Sequence, residues 1–475
     1  MSDNPNLVSK ASSLDETSFK YMMKLSAPMI VTYAAFTVMQ FVDRFMVSRL
    51  GTEALAAVLP AGVMCFLPAS FLLGMMTSVN TFVSQSLGRG EKQNCSNYCW
   101  QAIYMGLSYF TVAAAFMWLA APAIFKAMGH EPAVIEMEVI YLRIVIFAQL
   151  VAVFIWATSQ FFMGIHRPKT MMYAGLLGQV INIAANYLLI FGKFGFPAMG
   201  IAGAAWGTFI GISAEAVVLI AVFLGGKTNR DFNSRGATKI DFSKMRDLLK
   251  VGLPAGASLT INVALMGVIL FGLVGRFGKE ALAATSAVFS CINVAIMPVV
   301  GMGVALTATV GKAIGENKKD VAVKQTNVCL RTAMVYMLVI AVGILMFRDG
   351  IMRFWSSDPK VVEAGYNILI LAVIFQMFDV PSIVYRCSLR GAGDTMYLAV
   401  VSAIGAVLIL GVGGFLIQKF FVELGALGPW IAATGNVVLV AIANWWRFKS
   451  NSWMRIDLFK GRVVTAPIEL EAMIE

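Results

Sequence analysis

Charge is scarce in this chain. Only 13% of its 475 residues are Asp, Glu, Lys or Arg, about half the share usual in a soluble domain. Histidine is nearly absent: His130 and His166, both in loops, are the only two and take no role here. No cluster of His, Asp or Glu falls at catalytic spacing, which argues against a membrane-embedded enzyme. The six cysteines are scattered, and no pair reads as a disulfide framework. Cys95 and Cys99, four apart with no His or acid nearby, read as helix-packing residues. No P-loop appears, which excludes ATP-driven pumping by that motif. No signal peptide is visible either, since residues 1–24 are polar and the first apolar run is too long for a signal core.

What is present in abundance is apolar sequence. Hydrophobic residues make up 59% of the chain, and the mean hydropathy is +0.77. The net charge of +11 does not indicate a nucleic-acid partner. Its cations sit in short breaks between apolar runs, as expected of a multi-pass protein embedded in a lipid bilayer. Runs of roughly 20 apolar residues predict twelve spans, near 26–48, 54–85, 97–121, 134–163, 171–191, 200–224, 252–275, 281–310, 329–347, 361–387, 396–418 and 425–447. The distribution of Lys and Arg places both termini in the cytoplasm of a cell whose inner (plasma) membrane holds the protein. On that side fall Lys20, Lys24, Arg89, Lys92, Arg167, Lys312, Lys318, Arg386 and Arg390.

The sequence is also doubled. Leu50-Gly51-Thr52-Glu53-Ala54-Leu55-Ala56-Ala57 matches Phe277-Gly278-Lys279-Glu280-Ala281-Leu282-Ala283-Ala284, 227 residues later (280 − 53). Val83 to Gly88 matches Val310 to Gly315 at the same offset, and Thr170-Met171-Met172 aligns with Thr395-Met396-Tyr397 at 225. The expected division is a tail (1–24), an N-lobe (25–224), a polar linker (225–250), a C-lobe (251–447) and a second tail (448–475). Each lobe holds six spans, an even number. The fold class is therefore all-α and polytopic: twelve transmembrane helices in two parallel six-helix repeats around a central cavity.

Three acids lie inside apolar runs: Asp43, Glu215 and Asp379. A carboxylate at that depth is costly unless it faces protein, water or a cation. Asp379 is followed by Pro381, and Glu215 interrupts the sixth span. Asn182 and Asn186, like Ala204 and Thr208, are four residues apart and share a helix face. Pro28, near the start of the first span, removes a backbone hydrogen bond and permits a bend.

The stretches Leu25-Ser26-Ala27-Pro28 with Phe41-Val42-Asp43, the doubled Glu-Ala-Leu-Ala-Ala, Gly178-Gln179-Val180-Ile181-Asn182 with Asn186, Gly200 to Ala205 with Thr208, and Leu389-Arg390-Gly391-Ala392-Gly393-Asp394-Thr395 resemble the multidrug and toxic compound extrusion (MATE) family of cation-coupled antiporters. The resemblance implies an N-lobe cation site of Asp43, Asn182, Asn186 and Thr208 with a backbone oxygen from Ala204, suited to Na+. It implies a C-lobe acid at Asp379, with Asn262 where one branch carries a second acid. Glu215, read from its place in the sixth span and not from the resemblance, is either a third titrating group or a substrate-side group facing the cytoplasmic half of the cavity close to Lys227. The resemblance makes Pro28 a hinge. No cofactor is expected beyond the coupling ion, Na+ or H+. The function implied is secondary active multidrug efflux by a monomer, exchanging amphipathic organic cations for that ion by rocker-switch alternating access. The competing reading is a lipid-linked oligosaccharide flippase of the same superfamily, which would want a more cationic cavity.

Overall fold

The structure is a computed structural model that describes residues 15–128, 131–264, 271–356 and 358–459. His130 and the outer parts of both tails lie outside the described residues. The first repeat comprises α1 (Phe19–Ser48), α2 (Thr52–Gly88), α3 (Lys92–Ala127), α4 (Pro132–Gly164), α5 (Pro168–Phe191) and α6 (Gly200–Phe223). A short α7 (Gly226–Phe232) leads to α8 (Phe242–Ala264) and α9 (Phe271–Val274). Next come α10 (Lys279–Gly315), α11 (Lys319–Met346), α12 (Arg348–Trp355) and α13 (Pro359–Gly391). The chain ends with α14 (Thr395–Ile404), a π-helical stretch (Gly405–Gly413), α15 (Gly414–Phe420) and α16 (Leu427–Lys449). Among the described residues there is no strand. Among the described residues, eleven helices are long and apolar enough to cross a membrane. The expected seventh span, 252–275, runs through residues 265–270, outside the described set, and α8 and α9 are its described parts.

The repeat is more regular than the sequence matches suggest. Both α2 and α10 are 37 residues long and start 227 apart (279 − 52). Both α4 and α13 have 33 residues at the same offset (359 − 132). The offset also holds between α5 and α14 (395 − 168), so the 225 read from Thr170 and Thr395 is corrected to 227. The two equivalent turn glycines share one backbone conformation, with φ 116° at Gly51 and 98° at Gly278, a region that L side chains avoid.

The end of the bundle carrying Phe19, Gly88, Gly315 and Gly391 is called basal here, and the end carrying Ser48 and Lys279 apical. Apical packing belongs to each half separately. Val47 packs with Ala54, Ile190 and Ala204, while Val288 and Ile292 belong to a cluster with Leu369, Phe375 and Trp430. Basal packing is shared between the halves. Met22 of α1 joins a cluster around Met302 and Val384, and Ala305 and Ala308 of α10 join the core of the first half. At the join, a methyl group on Gly88 would overlap the Lys312 carbonyl, and one on Gly315 would overlap that of Gln85. The two repeat-related glycines therefore abut, which only small residues allow. Gln85 Nε2 donates to the Gly391 carbonyl at 2.8 Å, and Thr81 Oγ1 to that of Arg390 at 2.9 Å. Lys312 of α10 pairs with Glu16 at 2.6 Å.

The stretch expected as a linker is built rather than loose. Trp100 Nε1 donates to the Ser234 carbonyl at 2.8 Å, Gln101 Nε2 to that of Lys239 at 2.9 Å, and Arg167 pairs with Asp231 at 2.5 Å. That pairing holds the Asp231 carboxyl below its ordinary range. His166, given no role from sequence, lies between the halves. Its Nδ1 meets the Tyr21 hydroxyl at 3.1 Å, and its Nε2 meets the Ala308 carbonyl at 3.3 Å. The Nε2–H tautomer satisfies both contacts. Burial lowers its pKa to about 4. Cys95 and Cys99 are free and buried, in keeping with a packing role.

Candidate functional site

The first-half site begins with the packing of α5 against α6. Gly200, Gly203, Gly207 and Gly211 recur every three or four residues and so line one face of α6. Without side chains there, α5 lies directly on that face. A Cβ on Gly211 would sit 2.5 Å from the Cβ of Asn182, and one on Gly207 would collide with the Asn186 amide. The glycines therefore set how deeply the two asparagines are seated, and Asn182 and Asn186 are 3% and 1% exposed. In lipid this close approach supplies the dispersion contact that the hydrophobic effect supplies in water.

α1 closes the third side. Asp43 is half-buried, and Asn186 Nδ2 donates to its Oδ1 at 2.7 Å. The same amide reaches Asn182 Oδ1 at 3.4 Å. Thr208 Oγ1 donates to the Ala204 carbonyl at 3.0 Å, one turn earlier on α6. Asp43, Asn182 and Asn186 of the group drawn from resemblance thus meet where α1 packs on α5, while Thr208 and Ala204 bond each other on α6. Tyr141 of α4, which was not anticipated, is near enough to feel the charge of Asp43. The glycine spacing on α6 was legible in the sequence as a packing signal; nothing there pointed to Tyr141.

Asn186 Oδ1 is buried with no hydrogen-bond partner. An orphaned buried acceptor costs about 1–3 kcal/mol. A cation between Asp43 and Asn186 would relieve that cost if the amide turned its oxygen inward. The donors present are all oxygens: the Asp43 carboxylate, two amide oxygens, a hydroxyl and a carbonyl. That set fits a hard, weakly selective cation and does not fit zinc or copper. Among the described residues no group of three His, Cys, Asp or Glu could hold a metal ion.

Glu215 belongs to this same half. A Cβ on Gly178 would lie 2.8 Å from the Glu215 Cβ, and one on Gly175 would lie 3.6 Å from its Oε1 and 3.5 Å from the Thr32 methyl. Glu215 therefore stands on the α1–α5–α6 seam, about 10 Å basal of Thr208 along α6. It does not stand with Asp379 and Asn262, with which it was grouped as a substrate-side residue. Pro28 is the tenth residue of α1, past the first turn where proline is merely tolerated. It leaves the Lys24 carbonyl without its helical donor.

The second half is arranged differently. Asn262 of α8 is half-buried and, among the described residues, makes no hydrogen bond to Asp379. Asp379 faces Arg386 of its own helix, with Oδ1 3.9 Å from Nη2. Arg386 and Arg390 lie in the last two turns of α13, at its basal end.

The MatE family description matches residues 28–188 and 257–414, one segment in each half. The chain is 25% identical to a probable multidrug resistance protein NorM of Shewanella oneidensis over 92% of this chain and 96% of that one. It is 26% identical to the multidrug resistance protein PmpM of Pseudomonas aeruginosa, covering 89% and 90% respectively. Among solved structures, a multidrug resistance MATE family transporter of the MOP superfamily in an outward-facing conformation superposes with a TM-score of 0.82 at 20% identity, covering 93% of this chain and 98% of that one.

Proposed function

The chain belongs to the MatE family, and from that premise we propose that it is a secondary active multidrug efflux transporter coupled to a cation at Asp43. The observation that carries this reading is the Asp43–Asn186 contact beside an orphaned Asn186 oxygen, on a seam walled by glycine. A group held so tightly by backbone packing has few ways to satisfy that oxygen other than an incoming cation. Sodium matches the need of both amide oxygens better than a proton, which would ask only for the carboxylate.

The cycle then runs as follows. With the basal join closed and the apical packing separate in each half, the cleft opens on the apical side, taken as extracellular with both termini in the cytoplasm. A cation enters at Asp43 and turns the Asn186 amide. α1 bends at Pro28, where its hydrogen-bond ladder is already interrupted, and the cleft loses affinity for its cargo. The halves rock about the Gly88–Gly315 contact, the basal side opens, and the ion leaves down its gradient. Membrane potential supplies about 2.3 kcal/mol per charge per 100 mV. The names of the NorM and PmpM relatives support drug-like small molecules as cargo.

The flippase reading gains support from Arg386 and Arg390, whose charge suits a lipid pyrophosphate. Ethidium efflux from proteoliposomes under separately imposed sodium and proton gradients tests the first reading. Sodium-driven efflux that Asp43→Asn abolishes, with membrane insertion intact, is the expected result. Unchanged efflux by that variant would remove Asp43 from the mechanism. Scrambling of a polyprenyl-linked saccharide without any ethidium transport would favour the flippase.

A further inference from the structure

Arg386 and Arg390 are one helical turn apart and lie on one face of α13. Two partly buried guanidinium groups side by side are costly unless anions face them. Arg386 has Asp379 at 3.9 Å and the Ser382 hydroxyl at 3.4 Å, both long contacts. The Arg390 side chain has no hydrogen bond or ion pair among the described residues. What stands near it is the Tyr33 phenol of α1, the Cys387 thiol and Arg386 itself, and none of these is an anion in its ordinary state. One carboxylate against two guanidiniums leaves a full positive charge. The Nε of each arginine is buried and unpartnered.

Snorkelling to the membrane surface does not account for this arrangement. Arg386 turns toward Asp379, seven residues further into the span. The Arg390 Nε is buried, and the backbone of Arg390 and Gly391 is tied to Thr81 and Gln85 across the join. Arg386 nonetheless keeps 23% of its side chain open and Asp379 19%, so the charged face adjoins accessible space. Tyr33 comes from the first half and the arginines from the second, so Arg390 stands near the join between the halves.

We propose that Arg386 and Arg390 form an anion-recognition site on the inner face of α13 that takes the carboxylate or phosphate head of an amphiphilic cargo. The planar guanidinium fork matches those groups in two-point contact, and its open donors are the ones left unused here. Asp379 holds Arg386 in place and keeps the site selective: a small permanent anion already occupies one side, so the incoming head meets one net charge rather than two. The proposal rests on the efflux reading only for where the ligand travels, not for whether it binds.

The test is equilibrium binding of carboxyfluorescein to the purified full-length chain in detergent, read by fluorescence anisotropy, with ethidium as a cationic control. Wild type should bind carboxyfluorescein. Arg386→Gln and Arg390→Gln should each weaken that binding on the order of ten-fold or more without lowering ethidium binding, which also reports that the variants are folded. Arg386→Lys, keeping the charge but not the fork, should fall between. Inorganic phosphate that displaces the probe at millimolar concentration would place a free phosphate group in the site; failure to displace it would assign the site to the head of an amphiphile. Carboxyfluorescein binding that is absent in wild type, or equal in all variants, overturns the proposal. No gradient is used, so lost ethidium efflux in vesicles would sink the efflux reading and leave this measurement standing.

Discussion

In the first half, Asp43, Asn182, Asn186, Thr208 and Glu215 are carried by the three packed helices α1, α5 and α6. At an offset of 227, their counterparts in the second half are Leu270, Ile409, Gly413, Gly435 and Ile442. The converse also holds: Asp379, Arg386 and Arg390 correspond to Ala152, Ser159 and Met163. From α2 to α6 the helix starts keep the offset of 227 in the second half while the polar residues have been divided, oxygen donors to one half and guanidinium donors to the other. Ile409 and Gly413 lie in the π-helical stretch that replaces the regular turns of α5. Duplication preserved the packing surfaces, which fix the fold. It did not preserve the cleft-facing positions, which are free to specialise once the frame is set. On the function proposed above, the halves would carry different tasks, one reading the driving ion and the other the cargo.

The sharpest break of that division is Asp43→Asn against Asp379→Asn. The first should abolish gradient-driven ethidium efflux. The second should retain the coupling and alter cargo affinity by about ten-fold or less, since Arg386 already offsets that charge. Equal loss in both would mean the halves are not divided. Next in size is Gly207→Val, whose side chain would displace the Asn186 amide. Overpacking of this kind costs about 1–3 kcal/mol, so both the thermal midpoint and sodium-driven efflux should drop. Gly435→Val, at the position equivalent to Thr208 and with only a 3.4 Å contact to Ile409, should be milder on both.

His166 supplies a smaller, pH-dependent difference. Its folded pKa of about 4 is below its ordinary 6.5, so the unfolded chain takes up a proton first as pH falls. The contact is fully stabilising above about pH 6.5 and is lost progressively as pH falls toward 4, by a total on the order of 1–3 kcal/mol. The charged groups facing it are Lys312, Glu16 and Glu316. Melting curves between pH 5 and 7.5 should show a slope that His166→Gln flattens; an unchanged slope would assign the effect to those neighbours. The smallest effect expected is that of Glu16→Gln, which breaks a partly exposed pair with Lys312 and should shift stability by less than about 1 kcal/mol.

Much of the frame was readable before any coordinates. Apolar run length gives the spans, because lipid leaves no other place for the backbone polar groups. The repeat follows from two matching stretches, since turn glycines and helix starts are local events. The oxygen seam was legible in part, because Asn182 and Asn186 sit on one helix face whatever the tertiary arrangement. Tyr141 was not, because its approach to Asp43 depends on where α4 stands relative to α1. Helix periodicity likewise gives the face of Glu215 on its own helix, not that Gly175, Gly178 and Thr32 meet that face.

The sequence by itself determined a membrane-spanning, doubled, all-helical chain and the three acids buried in it, because hydropathy and repetition act along the chain. Only the tertiary structure decided that the basal ends meet glycine to glycine while the apical packing is separate. It alone decided that Asn186 presents a donor to Asp43 and leaves its oxygen bare, and that two arginines turn inward rather than out to the surface. Those outcomes depend on distances between helices far apart in sequence, and such distances are set by side-chain volume and charge at the contact rather than by any local pattern.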